Sequence, residues 1–205
     1  MNLPRIHSGF LGKALKMKKE DILKLFPIET ERLRLRVATL DDNRLIQDAK
    51  EAVDGDILRL WMSWSNDEGM SMLGTVNYLN MVSSPQNKRN IALLAVDKLT
   101  GEHVLSTGLD AEDDDFQVIA TGWWLGHGHE GKGLAYEGMR GLLDMMSLNT
   151  DCQKMTAAYY EGNQRSKSLM HRLGFQHVNT THKTHRCHLD GEMMDEYEYK
   201  LEIRK

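Results

Sequence analysis

Four glycines in one short loop, Gly126, Gly128, Gly131 and Gly133, are the residues most able to support chemistry in this chain. They follow an apolar run and precede a segment, ending near Ser147, whose apolar residues recur at helical spacing. A strand, a glycine turn and a helix in this order present backbone N–H groups at a helix N-terminus, where the helix dipole adds partial positive charge. Glycine also lets the backbone approach an anion closely. The stretch predicts a site for a phosphorylated cofactor.

Three motifs overlap in this loop. The first three glycines fit GxGxxG, the dinucleotide fingerprint, which usually opens a domain but here follows more than half of the chain. Residues 126–132 fit GxxxxGK of the NTPase phosphate loop, yet Gly133 replaces the Ser or Thr that would hold magnesium. Gly133-Leu134-Ala135 fits the end of Q/R-x-x-G-x-G/A, the pyrophosphate motif of acetyl-CoA-dependent N-acetyltransferases.

The composition limits the class of protein. The 205 residues suit one globular domain, and a net charge of -4 with a pI near 6.1 argues against a nucleic-acid-binding face as the main function. The sequence holds no apolar run long enough for a membrane span, so we expect no membrane partner. Cys152 and Cys187 make no disulfide framework, which predicts a cytoplasmic protein.

The chain divides into two parts. Residues 1–26 predict a helical N-terminal extension, because Phe10, Leu15, Ile22 and Phe26 can share one side of a broken helix. This helix would pack on the body or on a second copy of the chain, which would make a homodimer. Residues 27–205 predict the main domain.

The elements that must position the loop follow in order. Alternation predicts a first strand over Ile28–Val37, and capping pairs predict helices after Thr39 and after Ser65. Residues 90–125 predict three antiparallel strands, which argues against a doubly wound dinucleotide domain. A strand at Lys154–Tyr160, a helix capped by Asn163 and a final hairpin turning at 190–191 complete the chain.

Two other groups of residues can be given a functional interpretation. Trp61 and Trp64 lie between two predicted helices, where they either cover a core edge or line a substrate pocket. On a strand, His182 and His188 would face one way while His185 and Cys187 face the other, so we expect no metal site.

The element order resembles the GNAT N-acetyltransferase superfamily, and four motifs resemble its RimJ/RimL-type branch, which acetylates ribosomal-protein N-termini. These motifs are the opening Ile28–Arg36, the strand Gly122-Trp123-Trp124-Leu125, the turn Glu130–Ala135, and Asn163-Gln164-Arg165-Ser166 running to Leu173-Gly174-Phe175. The resemblance covers residues 27–203 and implies an α/β (α+β) fold. We therefore expect a mixed, mostly antiparallel sheet of about seven strands with helices on both faces.

The resemblance also implies site residues. Pantetheine would enter between two splayed strands and bond to the backbone around Trp124 and Leu125. The loop would hold the pyrophosphate, and Asn163 would contact the cofactor. The loop residues implied are Gly131, Lys132, Gly133, Leu134 and Ala135.

The catalytic residues are less well defined. Glu130 stands where the superfamily often has Gln or Arg. Met170 stands where many members carry a tyrosine that protonates the leaving thiolate, and methionine has no proton to give. Ser166 is the next candidate acid. No motif assigns the base, and the candidates at loop or strand ends are His127, Tyr160 and Glu161.

These patterns predict an enzyme that transfers an acetyl group from acetyl-CoA to a primary amine. A protein or peptide N-terminus is the first expectation for the acceptor, and Trp61 and Trp64 are its predicted contacts. A small-molecule amine is the alternative. A binding domain that keeps the fold without the chemistry is the alternative from another class.

Overall fold

A single sheet with helices on both faces makes up residues 17–203, the part of the chain that the computed structural model describes. The helices are α1 (Lys19–Leu23), α2 (Asn43–Ala52), α3 (Gly55–Trp61), α4 (Asp67–Met70), α5 (Met72–Ser83), α6 (Leu134–Asn149) and α7 (Gln164–Leu173). The strands are β1 (Ile28–Glu29), β2 (Leu33–Val37), β3 (Asn90–Asp97), β4 (His103–Ala111), β5 (Val118–Ala120), β6 (Trp123–Leu125), β7 (Lys154–Tyr160), β8 (Gln176–Arg186) and β9 (Met193–Glu202).

The strand order is β1-β2-β3-β4-β5-β7-β9-β8, and β6 pairs with β4 beside β5. Of the pairings in the described chain, β5 with β7 is parallel and the others are antiparallel. The prediction of a mixed, mostly antiparallel sheet is therefore confirmed.

The strand count is nine rather than seven because two predicted strands are each broken in two. The first predicted strand turns back on itself, so that Ile28 pairs with Leu35. Thr30 makes this turn: its N–H donates to the Leu33 carbonyl at 2.9 Å, and its hydroxyl accepts from the Leu33 N–H at 3.0 Å. The strand predicted to end at Leu125 is interrupted at 121–122, between β5 and β6.

The alternation of β3 builds a core on each face of the sheet. Ile91, Leu93 and Ala95 join the larger core, which packs against α6 and α7. The intervening side chains, among them Ala92 and Leu94, join a smaller core against α2 and α5. Because β3 is buried on both faces, it is a central strand that supports the strands on either side of it.

The second predicted helix start is wrong. Ser65 is fully buried, and its hydroxyl donates to the carbonyls of Leu58 at 2.8 Å and Met62 at 2.6 Å, so it cannot cap a helix. Asn66 caps α4 instead, and Ser71 caps α5. The preceding segment, predicted as a loop, is partly the helix α3.

The N-terminal helix α1 packs into the larger core through Ile22, which is fully buried. Lys19 holds it to the end of α5, since its Nζ donates to the carbonyl of Val82 at 2.6 Å and to that of Asn87 at 3.0 Å. The remainder of the predicted extension, residues 1–16, lies outside the described residues.

Candidate active site

A gap opens in the middle of the sheet where β6 leaves β7. The neighbouring β5 pairs in parallel with β7 as far as Ala120 with Thr156, and the Thr121 N–H still donates to the Thr156 carbonyl at 2.9 Å. Beyond this point β6 pairs with β4 alone among the described strands. The strands β6 and β7 therefore diverge, and a V-shaped gap between them begins at Thr156.

Two threonine hydroxyls hold the break between β5 and β6 in place. Thr107 Oγ1 donates to the Gly122 carbonyl at 2.7 Å, and Thr121 Oγ1 donates to the Gly108 carbonyl at 2.8 Å. Each hydroxyl satisfies a carbonyl of the opposite strand where the ladder is interrupted. The break is therefore a fixed bend that directs β6 away from β7.

Backbone alternation decides which polar groups of β6 face the gap. Trp124 is paired with Ser106 of β4, and the Gly126 N–H donates to the Val104 carbonyl at 2.8 Å. Because successive residues of a strand point their N–H and C=O groups to opposite sides, Trp123 and Leu125 present theirs to the gap. An extended ligand lying there could pair with them as a further strand would.

The glycine loop leads from β6 to the N-terminus of α6. Gly128, Gly131 and Gly133 have φ angles of 75°, 71° and 76°, a region that favours glycine. A Cβ at Gly128 or Gly131 would meet no atom within 4 Å, so these glycines serve the backbone conformation and not packing. The loop conformation explains why the sequence needs glycine here.

The N-terminus of α6 has no side-chain cap, because Gly133 itself is the N-cap residue. The Glu137 N–H donates to the Gly133 carbonyl at 3.0 Å, which leaves the amides of residues 134–136 without an intrahelical acceptor. The open loop and these amides at a helix of 16 residues fit a diphosphate.

Arg32 and Thr30 brace this helix end from the β1–β2 turn. Thr30 Oγ1 donates to Glu137 Oε1 at 2.6 Å, the Arg32 N–H donates to the same oxygen at 2.7 Å, and Arg32 Nη1 donates to the Lys132 carbonyl at 3.1 Å. Burial raises the pKa of Glu137, but the hydrogen bonds from Thr30 and Arg32 outweigh it and the pKa is lowered. The carboxylate is thus kept ionised and compensated beside the glycine loop.

A cleft of about 1900 Å³ runs through the gap and joins the loop to the opposite face of the sheet. Of the predicted site residues, ten line it and Lys132 does not. The ten are Trp61, Trp64, Trp124, Leu125, Gly131, Gly133, Leu134, Ala135, Asn163 and Ser166. The structure therefore brings the predicted cofactor and acceptor residues into one cavity.

The first turn of α7 closes one side of the cleft. Asn163 caps it as predicted, since its Oδ1 accepts from the Ser166 N–H at 3.0 Å. The cap uses the backbone of Ser166 and not its hydroxyl. Met170 also lines the cleft but is almost fully buried, so it contributes an apolar wall.

The opposite side of the cleft is aromatic. The Trp64 ring lies 6.3 Å from that of Trp124, which in turn stacks on His103 at 4.8 Å. Lys50 lies 5.0 Å above the Trp64 ring, and its Nζ donates to the Gly69 carbonyl at 2.8 Å. Burial lowers the pKa of Lys50 to about 8 and that of His103 to about 4. These contacts fix the tryptophans as walls of the cavity.

The β8–β9 hairpin tip reaches α3 and the segment that follows it. The His188 N–H donates to the Arg59 carbonyl at 3.1 Å, and His188 Nε2 lies 2.8 Å from the Ser63 carbonyl. The region that carries Trp61 and Trp64 and the β8–β9 hairpin thus together form one rim around the cleft mouth.

Three carboxylates that the sequence did not indicate also line the cleft. Glu112 lines the cleft and accepts from Thr156 Oγ1 at 2.8 Å, and Glu196 and Glu198 line it from β9. The alternation of β9 puts both β9 carboxylates on the face opposite Tyr197 and Tyr199, which was the available signal. Neither Glu196 nor Glu198 belongs to a recognisable motif.

Comparison with known proteins defines the family. The acetyltransferase (GNAT) domain model matches residues 32–176, well over half of the chain. The chain therefore belongs to the GNAT acetyltransferase family, and its class is that of an acyltransferase. This assignment favours an enzyme over a binding domain without chemistry. A search of curated proteins finds no significant match.

Solved structures share the fold at low identity. A RimL ribosomal L7/L12 α-N-protein acetyltransferase in complex with coenzyme A is 16% identical, with a TM-score of 0.76 over 86% of this chain and 98% of that one. A ribosomal-protein-S5-alanine acetyltransferase from Vibrio fischeri is 18% identical, with a TM-score of 0.74 over 88% and 98%. An acetyltransferase from Salmonella typhimurium that modifies the N-terminal serine of L7/L12 is 16% identical, with a TM-score of 0.73 over 85% and 97%.

Residues 17–203 show neither a membrane-spanning helix nor a metal-binding cluster. They contain no helix with the length and apolar character that crossing a membrane needs. They also contain no group of three or more His, Cys, Asp or Glu side chains arranged to hold a metal ion.

Proposed function

We propose that this protein transfers the acetyl group of acetyl-CoA to the α-amine of a protein or peptide N-terminus. The observation that carries the proposal is the cleft through the sheet, which has the glycine loop and the uncapped N-terminus of α6 at one end and an open, carboxylate-lined mouth at the other. A long phosphorylated donor and a cationic acceptor can enter such a cleft from opposite faces and meet in the gap.

The donor end follows from the loop and β6. Gly131, Gly133 and the first amides of α6 would bind the pyrophosphate, and the Lys132 backbone belongs to the same turn. The pantetheine arm would pair with the gap-facing groups of Trp123 and Leu125, with Trp124 beside them as a wall. Asn163 would contact the arm from the opposite side while it caps α7.

Acetyl-CoA, when bound, supplies a thioester that an amine can attack directly. The protein contributes mainly orientation, because the gap fixes the donor against an incoming amine. The Trp123 N–H faces the gap near its vertex and is suited to stabilise the oxyanion. The Ser166 hydroxyl, which is not used by the α7 cap, is suited to donate a hydrogen bond to the leaving sulfur.

The acceptor is proposed from the cleft mouth and from the relatives. Trp61 and Trp64 offer apolar walls, and the carboxylates Glu112, Glu196 and Glu198 suit an ammonium group. The similar structures named above act on ribosomal-protein N-termini, and on that basis we extend the proposal to a cytoplasmic protein acceptor.

A screen of amines that follows release of free CoA tests this function. It would compare peptides that begin with serine or alanine, the same peptides with blocked N-termini, and a panel of small primary amines. Faster release with the free peptides supports the proposal. Preference for a small amine contradicts the peptide acceptor. If none of the amines causes CoA release, acetyl transfer itself is contradicted.

A further inference from the structure

A carboxylate on β9 lines the acceptor side of the cleft without a hydrogen-bonding partner. Glu196 is half-buried and lies opposite Tyr160 of β7 and Thr181 of β8 in the sheet register. Within residues 17–203 its carboxylate accepts no hydrogen bond and forms no ion pair. A half-buried anion without a donor is costly, so this position suits an incoming cation.

The neighbouring Glu198 differs from Glu196 because it is held by the protein. Its Oε1 accepts from Thr181 Oγ1 at 3.1 Å and from Asn179 Nδ2 at 3.3 Å. It stands opposite Ala158, whose small side chain leaves the floor of the cleft open beside it. The pair therefore combines one anchored carboxylate with one that is free to meet a ligand.

Tyr160 forms the wall next to Glu196, and His185 fixes it. The two rings stack with centroids 3.7 Å apart and planes 9° apart. His185 is buried, and its Nε2 has no hydrogen-bond partner among the described residues. Its pKa is lowered, mainly by burial and in second place by the nearby His188. A neutral ring behind Tyr160 leaves the charge of Glu196 uncompensated.

Resting on the proposed function, we propose that Glu196 binds the ammonium group of the acceptor and accepts its proton before the amine attacks the thioester. The attack forms the C–N bond and breaks the C–S bond. The nitrogen loses two protons: Glu196 takes the first and passes it to solvent, and the second ends on the CoA sulfur. Glu196 is thus a candidate general base that no motif indicates.

The proton affinity of Glu196 suits this role. Burial first, and then the charge of Glu198, raise its pKa above the usual 4.5. Besides Glu198, Tyr160 of β7 lies opposite Glu196, His185 stacks behind Tyr160, and Lys200 farther along β9 pairs with Glu202. A general base works best when its pKa lies close to the pH of the reaction, and the raised pKa moves the carboxylate in that direction.

Glu196→Gln tests the proposal with the peptide Ser-Ala-Ala-Phe as acceptor and free CoA release as the readout. We expect kcat/KM for the peptide to fall by about ten- to a hundredfold while the Kd for acetyl-CoA stays unchanged. The matched control is Glu202→Gln on the same strand, which is exposed and lies outside the cleft lining. This control should stay within about twofold of the wild type.

The pH profile separates a base from a merely structural residue. Glu198→Gln removes the like charge, so it should lower the pKa of Glu196 and move the acid limb of kcat/KM to lower pH. Glu196→Gln should abolish that limb. An unchanged profile and rate in Glu196→Gln would overturn the inference.

Failure of the proposed function gives a different result. If the wild type acetylates a small amine and not the peptide, the peptide acceptor is wrong, and the same variants are measured with that amine. The same fall in kcat/KM in Glu196→Gln then still supports the inference, since the ammonium group is common to both acceptors. A wild-type rate in Glu196→Gln overturns it with either acceptor.

Discussion

The Nε atom of Arg32 lies 2.6 Å from Oε2 of Glu137 and ties the β1–β2 turn to the first turn of α6. Arg32 is about half exposed, whereas Glu137 is largely buried. A carboxylate at a helix N-terminus is favourable alone, but it competes with a phosphate for the same field. The guanidinium therefore allows Glu137 to support the helix without repelling an anion in the loop.

Arg32→Met should weaken acetyl-CoA binding by about tenfold, because it leaves the Glu137 charge uncompensated beside the pyrophosphate site. Calorimetric titration with acetyl-CoA measures the effect. The matched control is Arg34→Met on the adjoining strand β2, which loses only a surface pair with Glu29. Equal affinity in the two variants would show that Arg32 has no influence on the anion site.

Gly133→Val should abolish acetyl-CoA binding, since a side chain at the α6 N-cap strains the loop and keeps the backbone from the anion. Gly101→Val is a suitable control: Gly101 has nearly the same φ, 75° against 76°, and lies in the β3–β4 hairpin outside the cleft lining. Both variants carry similar strain, so both should unfold at similar temperatures. Retained binding in Gly133→Val would move the cofactor elsewhere.

Much of this site was predictable because its signals are local. The glycine loop, the Asn163 cap and the left-handed Gly174 at the end of α7 each depend on residues a few positions apart. The family motifs added the order of elements, which fixed the gap between β6 and β7.

The errors come from contacts between distant residues. Ser65 has the sequence of a cap, but burial directs its hydroxyl to Leu58, seven positions earlier. Thr30 breaks the first strand partly because it bonds to Glu137 of α6. Glu196 became a candidate only when the register of β9 put it beside Tyr160. No pattern within one segment encodes these relations.

Deleting residues 1–26 should lower the melting temperature or change the oligomeric state far more than the acetyl-CoA affinity. The deletion removes the buried Ile22 and the Lys19 bonds to the end of α5, and neither residue lines the cleft. Lys19→Met alone should reduce the free energy of unfolding by about 1–3 kcal/mol, because it leaves the Val82 carbonyl without its donor. Lys24→Met, an exposed control, should have little effect. If the truncated and full chains have the same oligomeric state and the same melting temperature, the segment is a loose tail.

Ser166→Ala should lower kcat by about ten- to a hundredfold with acetyl-CoA binding little changed. A CoA thiol resembles free cysteine, with a pKa of about 8.5, so a weak donor suffices to assist its departure. The Asn163 cap should survive, because it uses the Ser166 backbone. Ser147→Ala, on α6 and outside the cleft lining, is the control. Lost stability with full kcat would assign Ser166 to the helix and leave the thiolate to water.

The central claim is acetyl transfer through the cleft to a peptide α-amine, and mass spectrometry of one peptide tests it most directly. The peptide Ser-Ala-Lys-Phe offers an α-amine and a lysine ε-amine in the same molecule. Incubated with the full chain and acetyl-CoA, it should carry one acetyl group, and fragmentation should assign that group to the N-terminal serine. The Gly133→Val protein should leave the peptide unmodified. Acetylation at the lysine, or no modification while a small amine is acetylated, would contradict the account.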